Sequence, residues 1–143
     1  MIKRVAALAA VAVVGFVAIT WWALEADGVA VLETRRADGT PRETHVWYVV
    51  RDGELWVEAG APENGWFVDV QQDPVLELRS DELGGAFSGT YRARVDGDPG
   101  AAPRLRADLR EKYGLRDRWV GLLVDSSRSR AVQLHPSDPA SAH

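Results

Sequence analysis

The stretch spanning residues 30–58 constrains the fold of this chain more than any other, because it predicts three consecutive β-strands. The second of the three runs, residues 46–50, is rich in β-branched and aromatic side chains. Asp52-Gly53 is typical of a two-residue hairpin turn, and the third run follows it at residues 55–57. Three connected antiparallel strands of this composition are enough to nucleate a sheet or a small barrel.

Downstream of this meander, the pattern predicts three more strands and one clear helix. Strands are expected at residues 75–79, at 87–95, where apolar and polar side chains alternate, and at 131–134. Residues 102–113 predict a helix with apolar side chains four positions apart, whereas residues 116–124 fit either a short helix or a buried strand. Five or six short strands with a helix between them favour a small closed or split barrel.

Residues 5–24 form an uncharged segment of 20 residues that contrasts with the rest of the chain. At about 1.5 Å rise per residue, a helix of this length spans the roughly 30 Å apolar core of a bilayer, and Trp21 and Trp22 suit the membrane interface. We therefore predict that residues 1–27 are a single-pass anchor in the lipid bilayer. A signal peptide is the alternative, although its apolar region is usually only about 7 to 15 residues long.

Charges on the two sides of this segment predict its orientation. Lys3 and Arg4 precede it, whereas Glu25 and Asp27 follow it. Because positive residues favour the cytoplasmic side of a membrane, the larger part of the chain is expected outside the cytoplasm.

The composition is that of a folded protein, and it excludes several functions. Of the 143 residues, 46% are hydrophobic and 27% are charged, which suits one domain, expected at residues 28–136, followed by an unstructured tail at 137–143. The formal net charge of −4 argues against nucleic-acid binding. The absence of cysteine excludes disulfides and thiolate nucleophiles, and three histidines argue against a zinc site. The sequence contains no nucleophile elbow, P-loop or dinucleotide fingerprint.

Three arginines, Arg35, Arg36 and Arg42, lie within eight positions of one another around the first turn. Guanidinium groups bind phosphate or carboxylate through paired hydrogen bonds, and the backbone N–H groups of a turn can add donors. The cluster therefore predicts an anion site, with a solvated turn or a contact with anionic lipid as the alternatives. His45 is expected to be a half-buried structural residue rather than a general base.

The order of motifs along the chain resembles that of a known family. Residues 34–48 (TRRADGTPRETHVWY) are similar to the T-x-G-R-x-S-G-x-x-R-x-x-P-x opening of the split-barrel flavin and deazaflavin reductases. Residues 65–75 (GWFVDVQQDPV) are similar to the later W-x-x-N-L-x-x-N-P-x-V segment. Residues 105–113 match the family's last helix, and the strand through Leu134 to His135-Pro136 matches its closing V-x-L-x-P. The resemblance covers residues 29–136 and is to the deazaflavin-dependent nitroreductase branch of the pyridoxamine-phosphate-oxidase-like superfamily.

The resemblance implies a fold that is α+β and mainly β: a six-stranded antiparallel split β-barrel with one or two helices, preceded here by a single transmembrane helix. It also implies a flavin-type cofactor, either coenzyme F420 or FMN, whose phosphate binds at the basic turn. Such proteins position the cofactor while its ring transfers the hydride, so no catalytic side chain and no metal is expected. The residues implied to bind the cofactor are Arg35, Arg36, Arg42, Ala59, Gly60, Trp66 and Asp69.

The resulting hypothesis is a membrane-anchored flavin- or deazaflavin-dependent oxidoreductase that acts on a quinone-like or nitro-aromatic acceptor, with a homodimer expected from the resemblance. The sequence departs from the family pattern at Ala37 and Asp38, where a basic residue and a serine are usual. A carboxylate about 4 Å from a phosphate costs on the order of 4 kcal/mol at an effective dielectric near 20. A barrel that has lost its cofactor and serves as a binding or accessory protein is therefore the alternative, and a haem-binding barrel is a third option.

Overall fold

The computed structural model describes residues 2–25, 28–80, 87–123 and 125–137, and this part of the chain contains four helices and six strands. The helices are α1 (Ile2–Glu25), α2 (Gly65–Gln72), α3 (Ala101–Tyr113) and α4 (Leu115–Gly121). The strands are β1 (Val29–Arg35), β2 (Pro41–Arg51), β3 (Glu54–Ala59), β4 (Val75–Arg79), β5 (Gly89–Val95) and β6 (Arg130–Pro136).

The six strands form a closed antiparallel barrel in the order β1-β2-β3-β6-β5-β4. β1 closes the barrel, because Leu32 pairs with Thr44 of β2 on one side and with Leu78 of β4 on the other. A closed ladder leaves no unpaired strand edge in the sheet. The predicted mainly-β barrel preceded by an apolar helix is thereby confirmed.

The segment whose sequence fits either a helix or a strand is helical. α4 follows α3 directly, and Gly114 between them has a φ of +54°, which redirects the chain. The helical conformation places Asp117 where it forms an ion pair with Arg106 of α3 at 2.6 Å. Three helices therefore accompany the barrel in the described chain, in addition to α1.

Inward-facing apolar side chains fill the barrel. Buried and more exposed positions alternate along the strands, as the two-residue period requires. Trp66, Phe67 and Val70 of α2 belong to the same cluster. Because a helix reaches the interior of a closed barrel only through an open end, α2 covers one end of this one. The largest fully buried side chains of the strands are Tyr48, Tyr91, Leu32, Leu55, Leu78 and Leu134.

α3 packs on the outside of the barrel. Leu105, Leu109 and Tyr113 lie four positions apart on its buried face, as their spacing predicts, and they contact the outer faces of β2 and β6. The Tyr113 hydroxyl accepts the N–H of Tyr48 at 3.2 Å and donates to the carbonyl oxygen of Gly28. This hydroxyl therefore ties the end of α3 to the start of the barrel.

α1 has the length and composition to cross a bilayer, and none of its apolar window Val5–Trp22 is buried in the protein. A signal sequence has the same features, so the choice between an anchor and a signal stays a prediction. At the predicted domain boundaries, residues 26–27 lie outside the described residues. In the predicted tail, Ser137 is described, whereas residues 138–143 are not.

The hairpin between β2 and β3 gives a first testable prediction. Asp52 (φ +55°) and Gly53 (φ +78°) form its turn, and a Cβ added at Gly53 meets no atom within 4 Å. Gly53→Ala is therefore expected to lower the free energy of unfolding by about 1–2 kcal/mol through backbone strain alone. Gly97→Ala is the matched control, because Gly97 is equally open and does not have a positive φ. Urea unfolding of Gly53→Ala and Gly97→Ala is followed by circular dichroism. Equal urea midpoints for these two variants would contradict the assignment of backbone strain to the turn at Gly53.

Candidate functional site

A cleft with a volume of about 540 Å³ lies between the barrel and its helices, a size typical of small-molecule sites, which span about 300–1,000 Å³. Its walls come from β2, the end of β3, the start of α2, and the helices α3 and α4. Two arginines and one glutamate are the charged groups among the lining residues. These residues are Arg42, Thr44, His45, Val46, Trp47, Glu58, Gly60, Asn64, Gly65, Trp66, Arg106, Val120, Gly121 and Ser126.

A buried carboxylate holds Arg42 in place at the cleft. The Nε of Arg42 donates a hydrogen bond to Asp69 Oδ2 at 2.7 Å, and the Thr34 hydroxyl donates to the same oxygen at 2.8 Å. Asp69 and Thr34 are buried, whereas one third of the Arg42 side chain is exposed. This pairing uses Nε, so the two terminal nitrogens of the guanidinium carry further N–H donors for a ligand.

The start of α2 lies against the same guanidinium. An added Cβ at Gly65 would overlap Nη1 and Cζ of Arg42, so glycine is what allows the two groups to lie this close. The N-terminal end of a helix carries a partial positive charge of about half an elementary charge. Arg42 and the first turn of α2 together make this part of the cleft favourable for an anion.

Glu58 contributes a carboxylate that is only half satisfied. Its Oε2 accepts a hydrogen bond from Arg106 Nη1 at 2.8 Å, while Oε1 has no hydrogen-bond partner among the described residues. The Glu58 side chain is 10% exposed. An unsatisfied buried acceptor costs about 1–3 kcal/mol, and an N–H or O–H group of a ligand in the cleft would remove this cost.

Arg106 links three elements at the cleft. It bridges Glu58 of β3 and Asp117 of α4 from its own position on α3, and its side chain is 16% exposed. Burial opposes its charge, but the hydrogen bond to Glu58 and the charges of Glu58 and Asp117 raise the pKa of Arg106 above its ordinary value. The guanidinium is therefore permanently charged, and it fixes α4 next to the barrel.

Two tryptophans form aromatic walls. Trp66 is buried and faces the cleft from the barrel core, with Phe67 at its edge. Trp47 is half-buried on the outer face of β2 and stacks on Tyr113, with ring centroids 4.6 Å apart and planes inclined by 14°. The cleft therefore offers flat apolar surface beside its charged groups.

Arg35 and Arg36 lie at the tip of the hairpin between β1 and β2 and do not line this cleft. Arg36 Nη1 donates to Thr40 Oγ1 at 3.0 Å and to the Pro41 carbonyl at 2.7 Å. Hydrogen bonds from the Thr40 hydroxyl (2.6 Å) and N–H (2.9 Å), with the nearby charge of Arg36, lower the pKa of Asp38. Asp38 is therefore ionised at neutral pH, and the tip carries both signs of charge.

The structure brings some of the predicted cofactor-binding residues together and separates others. Arg42, Gly60 and Trp66 line the cleft. Asp69 lies behind Arg42 as its ion-pair partner, and Ala59 is fully buried in the barrel core.

Glu58 and Arg106 are not among the site residues that the sequence predicts. Glu58 occupies an outward position of β3, where a charged residue is usually solvated, and Arg106 lies on the polar side of α3. The two residues are 48 positions apart in the chain. No local pattern indicates that they meet.

Six antiparallel strands closed in this order, with a cleft between barrel and helices, define a small split-barrel protein. No protein-family model matches the sequence, and comparison with curated proteins gives no match. Several solved structures share the fold. A candidate pyridoxamine 5′-phosphate oxidase from Listeria innocua is 16% identical with a TM-score of 0.56, covering 81% of this chain and 89% of that one.

Two further solved structures extend the comparison. A protein described as F420 reductase is 15% identical with a TM-score of 0.53, and the match covers 82% of this chain and 93% of the reductase chain. HutZ, the heme storage protein from Vibrio cholerae, is 14% identical with a TM-score of 0.55, covering 81% and 86% of the two chains. These neighbours are split barrels of the pyridoxamine-phosphate-oxidase-like type. At these identities they establish the fold, and the activity has to be argued from the cleft.

The pairing of Arg42 with Asp69 gives a second testable prediction. Asp69→Asn preserves shape but removes the charge that Arg42 contacts, so the free energy of unfolding should fall by about 1.5–3 kcal/mol. Glu43→Gln is the matched control, because Glu43 forms an exposed ion pair with Arg79 and its loss should change stability little. Urea unfolding of the two variants makes the comparison. A midpoint for Asp69→Asn as high as that of the control would show that the buried pair does not hold Arg42.

Proposed function

We propose that the protein is a membrane-anchored oxidoreductase that binds a flavin-type cofactor, coenzyme F420 or FMN, in this cleft. One observation carries the proposal: the cleft combines an anion-favouring end at Arg42 with the unsatisfied acceptor of Glu58. A phosphate-bearing cofactor with a ring N–H matches both groups. The similarity in fold to a protein described as F420 reductase supports the same class of ligand.

The lining residues suit such a cofactor. Arg42 and the first turn of α2 would hold its phosphate through charge-assisted hydrogen bonds. Glu58 would accept a hydrogen bond from a ring N–H of the cofactor. Gly60 would allow the cofactor to approach the backbone closely, and Trp66 would contact the ring from the side of the barrel core. When bound, the cofactor supplies hydride transfer, and the protein residues contribute its position, its electrostatic surroundings and exclusion of water.

The remaining predicted residues take supporting roles in the proposal. Arg35 and Arg36 are available at the adjoining turn for a longer phosphate-bearing chain, with Asp38 opposing them. Asp69 orients Arg42, and Ala59 acts through its main chain.

The proposal extends to the surroundings of the domain. α1 would anchor the protein as a single-pass membrane protein, with the barrel outside the cytoplasm. The acceptor would be a quinone-like or nitro-aromatic compound, since a protein anchored in the bilayer is close to lipid-soluble substrates. A homodimer is proposed from the resemblance of the sequence to the reductase family.

Two alternatives have support of their own. A barrel without a cofactor, acting as a binding or accessory protein, is favoured by the ionised Asp38 beside the two tip arginines. A haem-binding barrel is favoured by His45, which lines the cleft, and by the fold shared with the heme storage protein.

Titration of the full-length protein in detergent with FMN, coenzyme F420 and haemin separates these functions. Binding of FMN or coenzyme F420 with a Kd below about 10 μM is expected for the proposed function. It is followed by quenching of the tryptophan fluorescence, because two of the six tryptophans, Trp47 and Trp66, line the cleft. The double variant Arg42→Gln/Asp69→Asn removes both partners of the buried pair and leaves no lone charge. It should weaken binding by about 10- to 100-fold.

Matched variants locate the cofactor. Glu58→Gln should weaken binding about tenfold, because the amide has an acceptor oxygen at only one of the two positions that Arg106 and the ligand would use and an NH2 donor at the other. Arg79→Gln is the control, since Arg79 is exposed and outside the cleft. If Arg36→Ala weakens cofactor binding and the double variant does not, the cofactor phosphate binds at the hairpin tip rather than at Arg42.

Failure of a folded protein to bind FMN or coenzyme F420 contradicts the proposed function. In that outcome, haemin binding lost in His45→Ala supports the haem alternative. The absence of binding by all three ligands supports the accessory protein.

A further inference from the structure

α4 runs alongside the last turns of α1. Trp119 Nε1 of α4 donates to Thr20 Oγ1 at 3.2 Å, and its ring lies 5.6 Å from that of Phe16. One turn earlier in α4, the Arg116 guanidinium lies 6.0 Å from the ring centroid of Trp22. The two helices are therefore antiparallel, and the chain after Trp119 continues in the direction of the middle of α1.

These contacts determine the depth of α4 if α1 crosses a bilayer. Phe16 lies six residues before Trp22, which is about 9 Å along the helix axis. With Trp22 at the membrane interface, Trp119 lies below the headgroup level, next to acyl chains. We infer that α4 and the two leucines after it form a second membrane contact, embedded in the same leaflet as the end of α1.

The exposed surface of this segment is suited to a lipid environment. Leu115 and Leu122 are 74% and 80% exposed and lie seven positions apart, on one face of the helix, and Leu123 is 48% exposed. Three exposed leucines next to an apolar span can bury their surface in lipid without any change in the conformation of the protein. Arg118, exposed on the same helix, has a long apolar stem that lets its charge reach anionic headgroups.

The opposite side of α4 faces the cleft. Val120 and Gly121 line it, while Asp117 is buried against Arg106. One wall of the cleft therefore lies at the membrane surface, and a lipid-soluble ligand reaches the cleft from the bilayer. This inference rests on the membrane anchoring in the proposed function but does not depend on the identity of the cofactor.

Single-cysteine variants test the inference in the full-length protein, because the chain has no cysteine of its own. Leu122→Cys reports on α4 and Val13→Cys on the middle of α1. Val68→Cys, a 38% exposed position on α2, is the control for an apolar side chain away from α1. Each protein is labelled with an environment-sensitive fluorophore and reconstituted in phosphatidylcholine–phosphatidylglycerol vesicles. Quenching by spin-labelled lipid is compared with quenching by aqueous iodide.

The label at Leu122→Cys should resemble that at Val13→Cys, with blue-shifted emission, quenching by spin-labelled lipid and protection from iodide. The label at Val68→Cys should be quenched by iodide. Quenching of the Leu122→Cys label by iodide, with the Val13→Cys label in lipid, would overturn the inference and leave the anchor intact. Quenching of the Val13→Cys label by iodide would show that α1 does not anchor the protein in the bilayer, and it would overturn the inference about α4 as well.

Discussion

Closure of the barrel between β1 and β4 is the constraint on which the remaining structure depends. Each strand then has two hydrogen-bonded neighbours, so one face of every strand points into a common interior. The inward side chains fill that interior together with Trp66 and Phe67 of α2. An interior filled by these close-packed side chains leaves no room for a ligand. A small-molecule site must therefore form outside the barrel, where the helices meet it, and the cleft lies there.

Two buried ion-pair systems give the cleft its shape. Arg42 and Asp69 connect β2 with α2, while Arg106 connects α3 with Glu58 of β3 and Asp117 of α4. Charges removed from water need partners at close range, so these pairs determine how the helices sit on the barrel. The exception is Glu58 Oε1, a buried acceptor that lacks a partner among the described residues, and Glu58 is one of the residues that line the cleft. The same arrangement that stabilises the helices therefore leaves a hydrogen-bonding position for a ligand.

α4 belongs both to the cleft and to the surface that meets α1. Asp117 turns one side of this helix toward Arg106, while Trp119 turns another toward Thr20. Because α4 is held on one side by the ion pair of Asp117 with Arg106 and on another side by the contact of Trp119 with α1, it has little freedom to reorient. Under the proposed anchoring, this contact orients the barrel relative to the membrane.

The sequence by itself determined the local features of this protein. Alternating side chains predict the strands, Asp52-Gly53 predicts the hairpin, and the spacing of apolar residues predicts α3, because each depends on neighbours within a few positions. The apolar length of α1 is equally local. Arg42 was predicted through a resemblance in motif order, and the cleft contains it. Only the tertiary structure decided that Glu58 and Arg106 meet there and that α4 packs on α1. Those contacts join residues 48 and 99 positions apart in the chain, and the packing of the helices on the barrel and on each other, not a local pattern, brings them together.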